Sequence, residues 1–320
     1  MILVVSPGFL TTVQDEGRRG YRAFGMPWAG AMDRYAFAAA NFLAGNPRGA
    51  AALEMTISGG SFRFEEPAYV ALCGADMGAV LEGEPAGNWV AFPVASGATL
   101  SFGSAAQGCR AYLAVLGGFD VPVVLGSRST YTRAGIGGFR GRVLAGGDTL
   151  RVGPAPAAGQ LPPRRFLPRP FVPPCGGEAR LRVLAGPQEE MFASDGIATF
   201  YSSPYTVTDR NDRMGYRLEG PTVRHEAGPD IITDAIVPGA VQVPGNGMPI
   251  VMMADCQTSG GYATIGTVIG PDLRLLAQAR RGDTVRFVRC PEEAAITALR
   301  EEHAAYAAIA GSLPGACRGR

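Results

Sequence analysis

Apolar residues in this chain come in short runs, such as 69–73 (YVALC), 110–115 (RAYLAV) and 180–184 (RLRVL), each bounded by glycine or proline. Runs of that length, broken by turn formers, read as strands of a barrel or sandwich rather than as helices. Forty-five glycines and 25 prolines supply the punctuation. Helical spacing is confined to three places. Residues 33–44 fit a helix with Asp33 as N-cap and Gly45 as the stop before Asn46-Pro47. Residues 272–279 predict a short second helix, and 292–309 a longer one with an alanine-rich face. The fold class expected is mainly β with a few helices.

Between Gly153 and Gly177 the chain reads GPAPAAGQLPPRRFLPRPFVPPCGG, too rich in proline for a helix or a central strand. The segments before and after it end alike, in Gly147-Asp148-Thr149-Leu150 and Gly282-Asp283-Thr284-Val285, with a weaker copy at Gly97-Ala98-Thr99-Leu100. Each is a turn feeding a strand. Two related β domains follow as the expectation: 1–155, a proline-rich linker at 156–178, and 179–320 ending in a helix.

Composition narrows the chemistry. With 320 residues, 47% of them hydrophobic, the chain can bury a sizeable core. A formal net charge of +1 argues against nucleic acid or a membrane surface as the partner. All 29 basic residues are arginine, so the chain offers no Schiff-base lysine, no P-loop lysine and no residue to carry biotin. Any biotin would have to be supplied in trans. Six scattered cysteines without a CxxC pair, and only His225 and His303, indicate neither a metal site nor a disulfide framework. The start, MILVVSPG, lacks the basic region and apolar length of a signal peptide or a membrane span, and a cytoplasmic protein is expected.

Polar residues gather at four places. The apolar stretch 249–254 delivers Asp255-Cys256-Gln257-Thr258-Ser259-Gly260-Gly261-Tyr262, where a glycine pair lets backbone approach a small ligand among a carboxylate, an amide, hydroxyls and a phenol. A self-capped turn is the plainer reading of the same residues. Residues 11–33 place Gln14, Asp15, Arg18, Arg19 and Asp33 in an irregular, glycine-bearing segment, and arginine suits planar recognition of carboxylate or phosphate. Gly126-Ser127-Arg128-Ser129-Thr130, followed by the glycines of 135–141, resembles an anion cradle without Walker or GxGxxG spacing. Asp209-Arg210-Asn211-Asp212-Arg213 is either a solvated turn or one wall of a cleft. No Ser/His/Asp triad can be composed around either histidine.

Taken together, TTVQDEGRRGY, GMPWAGAMD with AANFLAGN, LEMTISGG, GSRST, NDRMGYRLEGP and PIVMMADCQTSGGYATIG resemble the family of 5-oxoprolinase C subunits, related to allophanate hydrolase and to part of urea carboxylase. The matching stretches run in the family's order from residue 8 to about 290. The resemblance implies two tandem cyclophilin-like β-barrel domains. It also implies one component of an ATP-dependent hydrolysis of 5-oxoproline to glutamate, working with subunits A and B, the B-type protein being the nearest partner. ATP is the implied cofactor, held by this chain or by a partner. Relatives that antagonise a kinase inhibitor, or that carboxylate urea from biotin, leave a regulatory or a carboxyltransferase role as alternatives. Cys256, Asn211 and Ala263 depart from the family pattern, where a basic residue, Ser and Pro are usual.

Opening a lactam needs its carbonyl activated and its carboxylate held. For that chemistry Asp255, Gln257, Thr258 and Tyr262 are the catalytic candidates. Gln14, Asp15, Arg18, Asp33, Arg128, Asp212, Arg213, Gly260 and Gly261 are the substrate-binding ones, the two halves each supplying part of the set, and no metal is implied. Asp255→Asn is then expected to cost turnover while leaving the melting temperature nearly unchanged.

Overall fold

Glycine-bounded apolar runs fold here into strands joined by tight turns, in a computed structural model that describes residues 1–154, 160–174 and 176–313. Two compact units form. The first comprises Met1–Arg18, Ala29–Cys175 and Ala304–Arg320, and the second Arg19–Trp28 and Gly176–His303. The described residues contain four α-helices among many strands, so the chain is mainly β as expected. The proline-rich stretch is counted with the first unit, and part of it (155–159 and 175) lies outside the described residues.

In the first unit the strands are β1 (Ile2–Ser6), β2 (Leu10–Gln14), β3 (Ala52–Thr56), β4 (Ser61–Phe64), β5 (Ala68–Gly74), β6 (Val80–Leu81), β7 (Glu84–Pro85), β8 (Val90–Val94), β9 (Thr99–Ser101), β10 (Arg110–Val115), β11 (Thr149–Leu150) and β12 (Arg165–Phe166). They make two six-stranded sheets, ordered β11-β1-β4-β9-β6-β7 and β12-β8-β5-β10-β3-β2. Among the described residues the proline-rich segment contributes one strand, β12, at a sheet edge, where missing N–H donors cost least. One apolar layer joins Ile2, Val4, Phe62, Phe64 and Leu100 to Val70, Leu72 and Leu113. The other face of the second sheet is covered by α1 (Arg34–Ala44) through Ala36, Phe37, Ala40 and Leu43. Asp33 caps that helix through Ala36 N–H at 3.0 Å, and Gly45 stops it with φ +85°.

Under the start of α1 runs a buried polar row, Thr12–Glu54–Tyr112–Cys73, set by register across four neighbouring strands. Glu54 Oε2 accepts from the Tyr112 hydroxyl at 2.7 Å and from Met32 N–H at 2.8 Å. Burial, with Glu54 and Asp33 nearby, pushes the Tyr112 phenol well up. Burial likewise raises the Cys73 thiol. Cys73, Cys109, Cys256 and Cys290 form no disulfide, while Cys175 and Cys317 lie outside the described residues.

In the second unit β13 (Ala179–Ala185), β14 (Pro204–Val207), β15 (Gly215–Glu219), β17 (Ala240–Gln242), β18 (Ile250–Met252), β20 (Thr264–Val268) and β21 (Thr284–Arg289) close a barrel in the order β13-β20-β17-β18-β15-β14-β21. The remaining two, β16 (Asp230–Ala235) and β19 (Ser259–Tyr262), form a separate two-stranded ribbon. Valine and aromatic side chains on inward positions, among them Val183, Tyr205, Val241, Val251 and Phe287, are buried. The helix α2 (Ser194–Ser202), which the sequence pattern does not announce, stacks Phe200 on Phe287 with centroids 4.3 Å apart. The helix expected over 272–279 is reduced to a 3-10 turn and α3 (Leu273–Ala277), because the Asp272 carboxylate is bound by Arg182 and caps nothing. The last helix, α4 (Glu292–Ser312), exceeds its expected end; Tyr306 stacks on Tyr35 and Ile309 is buried in the first unit's core.

Candidate functional site

The glycine-bearing loop after β18 is built from the barrel outward. Its first residue, Asp255, is 4% exposed, and both carboxylate oxygens are held by Arg213, Nε to Oδ2 and Nη2 to Oδ1, each at 3.0 Å. Asp255 N–H in turn donates to the Arg213 carbonyl at 2.8 Å. The pair ties the loop to the turn before β15. An engaged carboxylate of this kind holds backbone in place rather than presenting an open base. Asp212, in the same turn, is exposed and accepts from Met214 and Gly215 N–H, the geometry of a capped turn.

Beyond the buried Cys256 the side chains turn outward. Gln257 and Thr258 are half-buried and Tyr262 is 43% exposed, and among the described residues none of the three makes a side-chain hydrogen bond. Ser259–Tyr262 pairs with Asp230–Ala235, with an irregular register between Asp230 and Asp234. Beneath this ribbon lies Gln242, 1% exposed on the last position of β17, its Nε2 donating to the Tyr262 carbonyl at 3.1 Å. Its Oε1 is buried and has no hydrogen-bond partner. A Cβ added at Gly260 would sit 2.5 Å from Ile236 Cδ1 and 3.3 Å from Gln242 Nε2, so a larger residue would have to push the Ile236 side chain aside for the ribbon to lie this close over the amide.

Arg22 completes the group. Its Nη2 donates to the carbonyls of Ile236 and Gln257, the latter at 3.3 Å, and its Nη1 is buried without a partner. Its guanidinium also lies 5.5 Å from the centre of the Trp28 ring, with Arg19 at 6.0 Å. Burial raises the Cys256 thiol, and Arg22 beside it opposes that shift. A buried polar atom left without a partner costs about 1–3 kcal/mol, so Gln242 and Arg22 are costly to the fold as they stand. Neither stands out in the sequence. Arg22 follows the RRGY run by one residue, and Gln242 is a lone amide between Val241 and Val243; an amide flanked by barrel valines is the available signal.

The other candidates lie in the first unit. Gly126-Ser127-Arg128-Ser129-Thr130 does form an anion cradle, but the anion is the chain's own Asp15. Asp15 Oδ1 accepts from Ser127 Oγ at 2.6 Å, from Ser129 Oγ and from Gly17 N–H, and Oδ2 accepts from Arg128 N–H. Arg18, fully buried, donates to the carbonyls of Val124 and Ser129 and so braces the same loop. Gln14 Nε2 donates to Thr12 Oγ1 and to the Thr130 carbonyl, while its Oε1 is buried without a partner. Arg128 points elsewhere, with Nε on the Val121 carbonyl. Asp33 is spent on capping α1. Gln14, Asp15, Arg18, Asp33 and Arg128 therefore belong to the first unit, whereas Asp212, Arg213, Asp255, Gln257, Thr258, Gly260, Gly261 and Tyr262 belong to the second.

Among the described residues no group of His, Cys, Asp and Glu is arranged to hold a metal, and no helix is long and apolar enough to cross a membrane.

Comparison with known proteins places this geometry. The chain is 37% identical to the 5-oxoprolinase C subunit of Escherichia coli over 313 residues, covering 98% of this chain and 99% of the other. It is 35% identical to the 5-oxoprolinase C subunit of Haemophilus influenzae, covering 90% of each. The crystal structure of the K. lactis urea amidolyase superposes with a TM-score of 0.90 at 29% identity, covering 96% of this chain but only 20% of that one. Residues 24–289 match the model of the carboxyltransferase domain, subdomain A and B. The chain thus belongs to the carboxyltransferase domain family, subdomain A and B, in which it is similar to two 5-oxoprolinase C subunits over 98% and 90% of its length.

Proposed function

We propose that this chain is the C subunit of a 5-oxoprolinase, a multi-subunit hydrolase that opens the lactam of 5-oxoproline, with water and ATP, to glutamate, ADP and phosphate. One observation carries the reading. The match to the Escherichia coli protein spans both chains end to end, whereas the K. lactis urea amidolyase uses the equivalent segment as a fifth of a far longer chain.

In this reading Gln257, Thr258 and Tyr262 meet the lactam and the attacking water, and Gly260 and Gly261 admit the ring close to backbone. Asp255, through Arg213, fixes the loop that presents them. The Gly126–Thr130 cradle offers a triphosphate no fit, since its hydroxyls and the Arg128 amide are taken by Asp15, and the chain has no lysine. ATP is therefore assigned to a partner, and subunits A and B, with B the nearer, are the partners proposed, in a cytoplasmic complex.

A second reading is favoured by the TM-score of 0.90 with the urea amidolyase, namely transfer of a carboxyl group to urea or an amide from biotin carried by another chain. Co-expression with candidate A and B subunits separates the two. ATP hydrolysis stimulated by 5-oxoproline supports the first; carboxylation of urea by a biotinylated partner, without a response to 5-oxoproline, supports the second.

A further inference from the structure

Two buried polar atoms beside the glycine loop lack partners, and they are of opposite kind. Gln242 Oε1 is an acceptor and Arg22 Nη1 is a donor. Both flank Ile236: Arg22 Nη2 binds its carbonyl, and the space above Gly260 is bounded by Ile236 and by the Gln242 amide. Each is already oriented by its other half, Gln242 through Nε2 on the Tyr262 carbonyl and Arg22 through Nη2 on Ile236 and Gln257.

An acceptor and a donor on the two sides of Ile236 complement a ligand that presents N–H and C=O on a single edge. An ordinary trans amide points these groups in opposite directions. A secondary lactam, held cis by its ring, and urea present them side by side. The cover over Gln242 is thin: the ribbon is two strands with an irregular register, and Ile232 on it is 95% exposed. Such an element is among the first to open locally.

We infer that Gln242 and Arg22 are the specificity-determining residues of this site, Gln242 Oε1 accepting the N–H and Arg22 Nη1 donating to the C=O of a cis-amide edge, reached when the 230–235/259–262 ribbon lifts. For 5-oxoproline as the ligand, the inference rests on the 5-oxoprolinase reading of the chain.

The test measures binding to the full-length chain by calorimetry. The ligands are 5-oxoproline, its ring-carbon analogue in which CH2 replaces the lactam N–H, and urea. The wild type is expected to prefer 5-oxoproline over the carbon analogue by ~100-fold or more, since a site built around a hydrogen bond rejects the ligand that lacks it. Gln242→Met, of similar volume, is expected to bring that preference to within about 3-fold while the melting temperature changes little, because loss of the Nε2 bond to the Tyr262 carbonyl is offset by removal of a buried unpartnered atom. Arg22→Met is expected to weaken 5-oxoproline and its carbon analogue alike by ~10-fold, leaving their ratio unchanged, since both keep the carbonyl. Urea bound and weakened by Gln242→Met, with no binding of 5-oxoproline, would refute the 5-oxoprolinase reading and sustain the amide-edge site. No binding of either N–H ligand, no preference in the wild type, or an unchanged preference in a folded Gln242→Met overturns the inference.

Discussion

Replacing Asp255 by Asn probes the one charge pair that fixes the candidate loop. Asp255 and Arg213 are 4% and 7% exposed and meet through two 3.0 Å bonds. Asparagine keeps the shape and removes the negative charge, leaving the buried guanidinium without the carboxylate it faces. Removing one partner of a buried pair costs about 3–5 kcal/mol. The surviving amide oxygen retains one acceptor, which favours the lower end, about 3 kcal/mol. Arg213→Met should cost a similar amount, and the double variant less than the sum, with a coupling of about 2 kcal/mol in a double-mutant cycle. Denaturant unfolding followed by circular dichroism, with turnover of the assembled complex expressed per folded molecule, measures both sides. Additivity within about 0.5 kcal/mol would refute the structural role of the pair. So would Asp255→Asn with wild-type stability and lost turnover, the pattern expected of an open catalytic carboxylate.

The Arg142–Asp148 pair, bonded twice at 2.8 Å, gives a pH signature. Hydrogen bonding from Arg142 holds the Asp148 carboxyl below its ordinary 3.8. A depressed carboxyl adds stability that is present above pH 3.8 and lost as pH falls through its lower folded value. The melting-temperature gap between wild type and Arg142→Met should therefore be constant at about pH 5–7 and shrink below 3.8; a gap that widens in acid contradicts this assignment. For nucleotide, equilibrium dialysis of the isolated chain should show no saturable ATP binding, and Ser127→Ala with Ser129→Ala should lower stability by removing the two hydroxyl donors to Asp15 and leaving it only the Gly17 and Arg128 N–H groups. Saturable ATP binding abolished by those two changes would return the phosphate site to this loop.

Much of the fold was legible because local signals agree with the packing. Residues 110–115 become β10 without a change of boundary, and Asp33 and Gly45 cap α1 as their chemistry requires. The three Gly-x-Thr turns all feed strands, β9, β11 and β21. Other features depend on distant partners. The helix over 272–279 is shortened by Arg182, ninety residues away in sequence, which takes the Asp272 carboxylate. Asp15 and Ser127–Ser129 read separately as binding groups, yet they satisfy each other across more than a hundred residues. Asp255 and Arg213 do the same within the second unit. The site residues hardest to see, Gln242 and Arg22, carry no motif; their significance lies in atoms left unpaired by the fold, which no spacing records.

The measurement that bears most directly on the account is conversion of isotope-labelled 5-oxoproline by the co-purified complex, with this chain present and with it omitted. Labelled glutamate, formed in proportion to ATP hydrolysed, is expected only when this chain and its partners are together. Glutamate formed equally well without it, or by this chain alone with ATP, or no glutamate from the complete complex, would contradict the account.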